Sequence, residues 1–174
     1  MSSVSAPDRT EAAPYYFTYI DKVPSGDIRT ILETQGPETI ASLSAISEDR
    51  SLHRYAPGKW SIRELMHHVN DSERVFAFRA LWFARELGAE LPSFDQDIGV
   101  AAGGADQRSW QSIVEEFAAV RASSVALFKT LPDQAWQRHG VASGHPVTVR
   151  ALAYIVAGHT AHHMQILKER YGSQ

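Results

Sequence analysis

The stretch Tyr154-Ile-Val-Ala-Gly-His159-Thr-Ala-His162-His163-Met-Gln-Ile-Leu167 constrains the fold more than any other. Leu152, Ile155, Met164 and Ile166 mark most of it as buried helix, yet His159 and His163 stand in it four residues apart. Positions i and i+4 share one helical face, about 6 Å apart along the axis at about 1.5 Å per residue. A buried imidazole left without a partner costs roughly 1–3 kcal/mol. The surrounding fold must therefore supply partners to both rings. Either they are hydrogen-bonded core residues, or they converge on one metal ion. The metal reading requires a third donor elsewhere in the chain.

The choice of donors is narrow. The 174 residues include no cysteine, which removes disulfides and thiolate ligands together. A transition-metal site must then be built from His, Asp or Glu, and any thiol chemistry needs a thiol brought by a substrate or cosubstrate. The length fits one domain with a full core. A net charge of −3 gives no basic stripe for nucleic acid. No apolar run approaches the roughly 20 residues of a membrane span, so no membrane partner is expected. The start, MSSVSAPDRTEAAPYY, lacks the charged and apolar regions of a secretory signal, and a cytoplasmic location is the expectation.

Residues 1–24, rich in Ser, Ala and Pro, read as an irregular N-terminal arm, and 25–174 as a helical domain. Asp27–Leu32 and Glu38–Ile46 read as helical, with Gly36-Pro37 marking a break or kink. Ser61 with Glu64 forms a capping-box pattern opening a second helix, which runs to about Glu86 and stops at Leu87-Gly88. Ala89–Arg108 holds Pro92 and three glycines and reads as a long connection, a kind of loop that is often functional. A third helix runs from the cap Ser109 to Leu131-Pro132, and a fourth from Thr148 to about Tyr171. His139–Pro146 reads as irregular, and no strand alternation is apparent. The fold class expected is all-α, a four-helix bundle with a long connection between helices two and three.

The second helix holds the candidate third ligand. Leu65, His68, Ser72, Val75 and Phe76 share a face, while His67 lies about 100° away beside Glu64 and Asp71. Either histidine could turn inward, but His68 keeps the more apolar company. Glu64, Asp71, Asp95 and Asp97 are candidates to accept a ligand's second N–H or to touch substrate. Glu73 and Arg74 read as a charged outer face, and Trp60 and Trp82 as packing. Glu64-x-x-His67 has no second copy, which excludes a ferritin-type di-iron site. The chain contains no HExxH, Walker loop or G-x-S-x-G.

The segments KWSIRELMHHVNDSERVFAFRAL and AGHTAHHMQIL resemble the DinB-like (DinB/YfiT) superfamily of small helical bundles, over roughly Asp27 to Tyr171 and including Phe94-Asp-Gln-Asp97. Matching position by position, the resemblance places metal ligands at His68, His159 and His163. It implies a divalent metal ion as cofactor, and enzymes that transfer low-molecular-weight thiols or isomerise substrates with thiol help. Three imidazoles leave a coordination position open, as in catalytic sites. Zinc is the first expectation and nickel the second. The expected partner is a small-molecule substrate, acted on with a thiol cosubstrate or with metal-activated water. The alternative is a non-catalytic stress-response module in which the ion is structural. Apolar residues almost all round the second helix, from Phe76 to Phe83, also raise the expectation of a homodimer.

Overall fold

The computed structural model describes residues 3–172. In chain order its helices are α1 (Phe17–Ile20), α2 (Ile28–Ser44), α3 (Glu48–Ser51), α4 (Ile62–Ala84), α5 (Gln96–Gly103), α6 (Trp110–Lys129) and α7 (Val149–Ile166). An antiparallel hairpin of β1 (His139–Ala142) and β2 (His145–Thr148) precedes α7. A π-helical turn, Leu167–Tyr171, extends α7.

Each long helix begins on a side chain that accepts from its own first turn. Asp27 accepts from Arg29 N, Ser109 from Ser112 N and Thr148 from Ala151 N. Ser61 accepts from Glu64 N while the Glu64 carboxylate accepts from Ser61 N, the reciprocal pair read from the sequence. Each cap satisfies donors that the helix cannot, at about 0.5–2 kcal/mol.

The four long helices form a bundle in which α2 packs on α6 and α7, and α4 packs on the same two. The chain-adjacent pair α2 and α4 is therefore diagonal, as is α6 and α7. The connections between these diagonal partners carry α3 and the hairpin. This arrangement brings α4, bearing His68, directly against α7, bearing His159 and His163.

Four local expectations are corrected. Of the break or kink expected at Gly36-Pro37, the break is absent, because α2 continues through Pro37. Ile28, Leu32, Gly36, Thr39 and Leu43 form one buried stripe on both sides of the proline, and that packing outweighs the lost backbone bond. The left-handed residue ending α4 is Glu86, with φ 57°, rather than Gly88. The long connection is not wholly irregular, because Asp95 caps α5 within it. Residues 139–148 form strands, turned by Ser143 and Gly144 at φ 55° and 74°. Positive φ at both central positions suits a tight hairpin.

Residues in the N-terminal arm pack on the bundle: Val4, Ala12, Phe17, Tyr19 and Ile20 are buried, and α1 lies on α7. Gly158 permits that approach, since a Cβ there would sit 2.2 Å from the Tyr19 carbonyl oxygen. No described helix is long and apolar enough to cross a membrane.

Candidate metal centre

The apolar interior divides into two clusters. One gathers the C-terminal half of α4, the start of α7, Phe128 and the hairpin. The other gathers the start of α4 and of α6 with Leu43, Leu167 and Tyr171. Between them lies a buried polar layer containing His68, Ser72, Glu73, Arg121, His159, Thr160 and His163. A layer that interrupts an apolar core must be internally satisfied, because each unpaired group there carries its full desolvation penalty.

Half of the layer is an ion-pair network. Arg121 on α6 donates from Nε and Nη2 to the two carboxylate oxygens of Glu73, each at 2.9 Å. Nη2 also donates to Thr160 Oγ1, and Nη1 donates to Gln35 Oε1. Glu73 therefore does not lie on the outer face expected from the sequence. Its partner comes from a helix not adjacent in the chain, which spacing along α4 does not reveal.

The other half is the histidine cluster. His159 Nε2 lies 3.1 Å from His68 Nε2 and 3.1 Å from His163 Nε2. All three rings are buried, and one nitrogen of each lies within 4.8 Å of the other two. Burial, then the neighbouring His67 and His162, pushes the His68 imidazole down to about 4. Burial, then His68 and His162, pushes His163 down to about 3. His159 is held well below its ordinary value by burial first and then by His163, His68 and His162. At neutral pH the cluster is therefore three uncharged imidazoles.

This donor set fits a divalent ion. Ring nitrogens at about 2.0–2.1 Å from one ion stand roughly 2.8–3.4 Å apart across octahedral and tetrahedral arrangements, a range that includes both 3.1 Å spacings to His159. An ion facing the Nε2 atoms requires the protons on Nδ1. His68 Nδ1 has Ser72 Oγ at 3.3 Å to receive one. His163 Nδ1 has no protein partner among the described residues. Aromatic rings wall the cluster: Tyr19 lies 5.1 Å and Phe76 5.9 Å from the His159 ring, and Trp60 lies 5.1 Å from His68.

A cleft of about 240 Å³ reaches His68 and His159 from the surface, lined also by Tyr19, Ser72, Arg79 and Phe94. A second hollow of about 300 Å³, lined by Trp60, Asp97 and Tyr171, reaches His163. Roomier hollows elsewhere, of about 490 and 630 Å³, touch none of the three histidines. The site is placed by its chemistry rather than by size.

None of the four candidate carboxylates bonds to the cluster. Glu64 serves the capping box and Arg54, Asp71 pairs with His67 Nε2 at 3.3 Å and with Arg74, and Asp95 caps α5. Asp97 alone shares a hollow with one of the three histidines, His163. His67 points away from the cluster, toward Asp71 and Gly103. The sequence reading missed Tyr19 and Arg79 as cleft residues. Tyr19 arrives from a segment read as irregular, and a lone arginine on a helix carries no signal of burial.

The fold and the clustered histidines define a class of small helical bundles with a potential three-histidine metal site between two adjacently packed helices. Residues 31–167 match the family model of the DinB superfamily, and the chain belongs to that superfamily. Among solved structures it resembles YfiT from Bacillus subtilis, a probable metal-dependent hydrolase with an unusual four-helix bundle topology, at 18% identity and TM-score 0.68. That match covers 97% of this chain and 94% of YfiT. It also resembles a mycothiol-dependent maleylpyruvate isomerase at 12% identity and TM-score 0.65, covering 79% of this chain. The match spans 58% of the isomerase's length. No curated protein matches the chain significantly.

Proposed function

We propose that the protein is a metal-dependent enzyme in which His68, His159 and His163 hold a divalent ion, zinc first and nickel second. Its substrate is a small molecule reacting with a low-molecular-weight thiol. The observation that carries this reading is the clustering of three buried, neutral imidazoles, two of which line an open cleft. A divalent ion held there supplies Lewis acidity, which favours the ionised form of a bound thiol or water.

The chain's own residues narrow the choice between these nucleophiles. The cleft at His68 and His159 is lined by no Asp or Glu that could act as general base to a water, and Asp97 lies in the separate hollow at His163. A small thiol, with an ordinary pKa near 8.5, needs less help to ionise. The absence of cysteine requires that thiol to come as a cosubstrate. Tyr19 covers one side of His159, and its hydroxyl lies 2.6 Å from that of Tyr15, closing the cleft wall with aromatic surface. The naming of one structural neighbour for mycothiol dependence supports the thiol reading, and that of YfiT supports hydrolysis as the second reading.

The cleft also argues against a purely structural ion, because a closed structural site leaves no route from solvent. Cobalt-loaded protein titrated with a small thiol should develop a thiolate-to-metal charge-transfer band. Thiol transfer to an electrophilic acceptor should then exceed ester hydrolysis. No band, and no turnover in either assay, would overturn the proposal.

We further propose that two copies pair through the face bearing Phe78 and Leu81, 49% and 39% exposed. Sedimentation at tens of micromolar should show a dimer, and a monomer would refute this pairing.

A further inference from the structure

Three arginines are buried among the described residues: Arg63, Arg79 and Arg121. Arg63 pairs with Glu48 and Arg121 with Glu73. Arg79, 4% exposed, pairs with no carboxylate among the described residues. Its Nη2 donates to the Pro92 carbonyl at 2.8 Å and to Ser143 Oγ at 3.0 Å. The other guanidinium N–H groups have no protein acceptor among the described residues. A buried charge without a counter-ion is among the costlier arrangements a protein can hold. The fold nonetheless fixes this one in place from two sides, through the connection after α4 and through the hairpin turn.

Arg79 lines the same cleft as His68 and His159. It continues the stripe His68, Ser72 and Phe76 along α4, and long side chains on a helix lean back toward its N-terminus, here toward the histidines. The Phe76 ring centroid is 6.0 Å from Arg79 Cζ and 5.9 Å from the His159 ring centroid, so guanidinium and imidazole stand at most about 12 Å apart. That span suits the two ends of a small organic molecule.

We propose that Arg79 binds a carboxylate of the substrate, so that the enzyme acts on small organic acids whose charged end is held at Arg79 while the reacting end lies at the histidine cluster. This assignment rests on the proposed function for the identity of the reacting end, but the anion site stands on Arg79 itself. A carboxylate matches the charge available, since Arg79 is the only Lys or Arg among the cleft's lining residues. A phosphate dianion would leave charge uncompensated. The Phe76 and Phe94 rings supply apolar wall between the two ends.

The test uses the full chain, first without metal. Binding of straight-chain carboxylates from butanoate to octanoate is measured by intrinsic fluorescence against the primary amides of equal length. The wild type should prefer the carboxylate by roughly tenfold or more at the best length, the size of one charge-assisted hydrogen bond. Arg79→Gln should bring the ratio near one without changing amide affinity, and Arg79→Lys should keep part of the preference. If Arg79 is only a staple between Pro92 and Ser143, the wild type shows no preference. That result, including no binding of either series, overturns the proposal, as does a preference that survives in Arg79→Gln. Should Arg79→Gln fail to fold, the wild-type ratio and Arg79→Lys decide. Repeating the measurement with zinc-loaded protein separates the two ideas: a carboxylate preference without metal uptake sinks the metal reading and leaves the anion site.

Discussion

Arg121 reaches from α6 to Glu73 on the neighbouring α4 with two parallel hydrogen bonds of 2.9 Å, and the two side chains are 4% and 2% exposed. The pair joins α6 to α4 in the layer that also holds the histidines, and Arg121 continues to Thr160, the residue after His159. Removing one partner strands a buried charge. Glu73→Ala should therefore cost about 3–5 kcal/mol in chemical denaturation. The double variant Glu73→Leu with Arg121→Met should be markedly more stable than Glu73→Ala. Equal losses would show that the pair is not isolated from solvent as the geometry implies.

The histidine cluster makes metal-free protein acid-sensitive. His68 and His163 titrate at about 4 and about 3 in the folded chain, against an ordinary value of 6.5. Below pH 6.5 the unfolded chain takes up protons that the folded chain refuses, so stability falls with pH through that window. Above 6.5 both states are neutral there and the effect vanishes. Chelator-treated wild type should lose stability from pH 6.5 toward 4, and a variant with His68 and His163 replaced by Gln should lose less. Parallel pH curves for the two proteins would refute the assignment.

Gly158 is where α1 meets α7. A methyl group there would lie 2.2 Å from Tyr19 O and 2.5 Å from Tyr19 C, backbone atoms that cannot swing aside. Overpacking of this kind costs about 1–3 kcal/mol, against at most about 1 kcal/mol gained from helix propensity. Gly158→Ala should lower the melting temperature and increase proteolysis within residues 3–24. A variant as stable as wild type would mean that α1 is not docked.

Ser72 is the hydroxyl placed to hold a proton on His68 Nδ1. Its Oγ lies 3.3 Å from Nδ1 and accepts when the opposite nitrogen faces an ion. Ser72→Ala should weaken metal affinity by about 10–100-fold in competition with a calibrated chelator, as loss of such outer partners does elsewhere. An unchanged affinity would remove Ser72 from the site.

Much of the bundle was legible because its signals are local. The cap residues Ser61, Ser109 and Thr148, and the face shared by Leu65, His68 and Ser72, follow from spacing alone. The convergence of His68 with His159 and His163 was readable from helical faces together with the family resemblance. What escaped depends on contacts between distant segments. Gly36-Pro37 reads as a break or kink until α6 is packed along the stripe through Gly36 and Thr39. Glu73 reads as exposed until Arg121 arrives, and Ser143-Gly144 reads as irregular until Leu91 bonds to the hairpin beside it. The diagonal order of the helices has no local signature at all.

The most direct test of the account is elemental analysis of untagged wild-type protein beside His68→Ala, His159→Ala and His163→Ala. Wild type should hold about one equivalent of zinc or nickel, and each variant should lose it with helical content retained. Wild type that holds no metal even after loading, or variants that hold as much as wild type, would contradict the account.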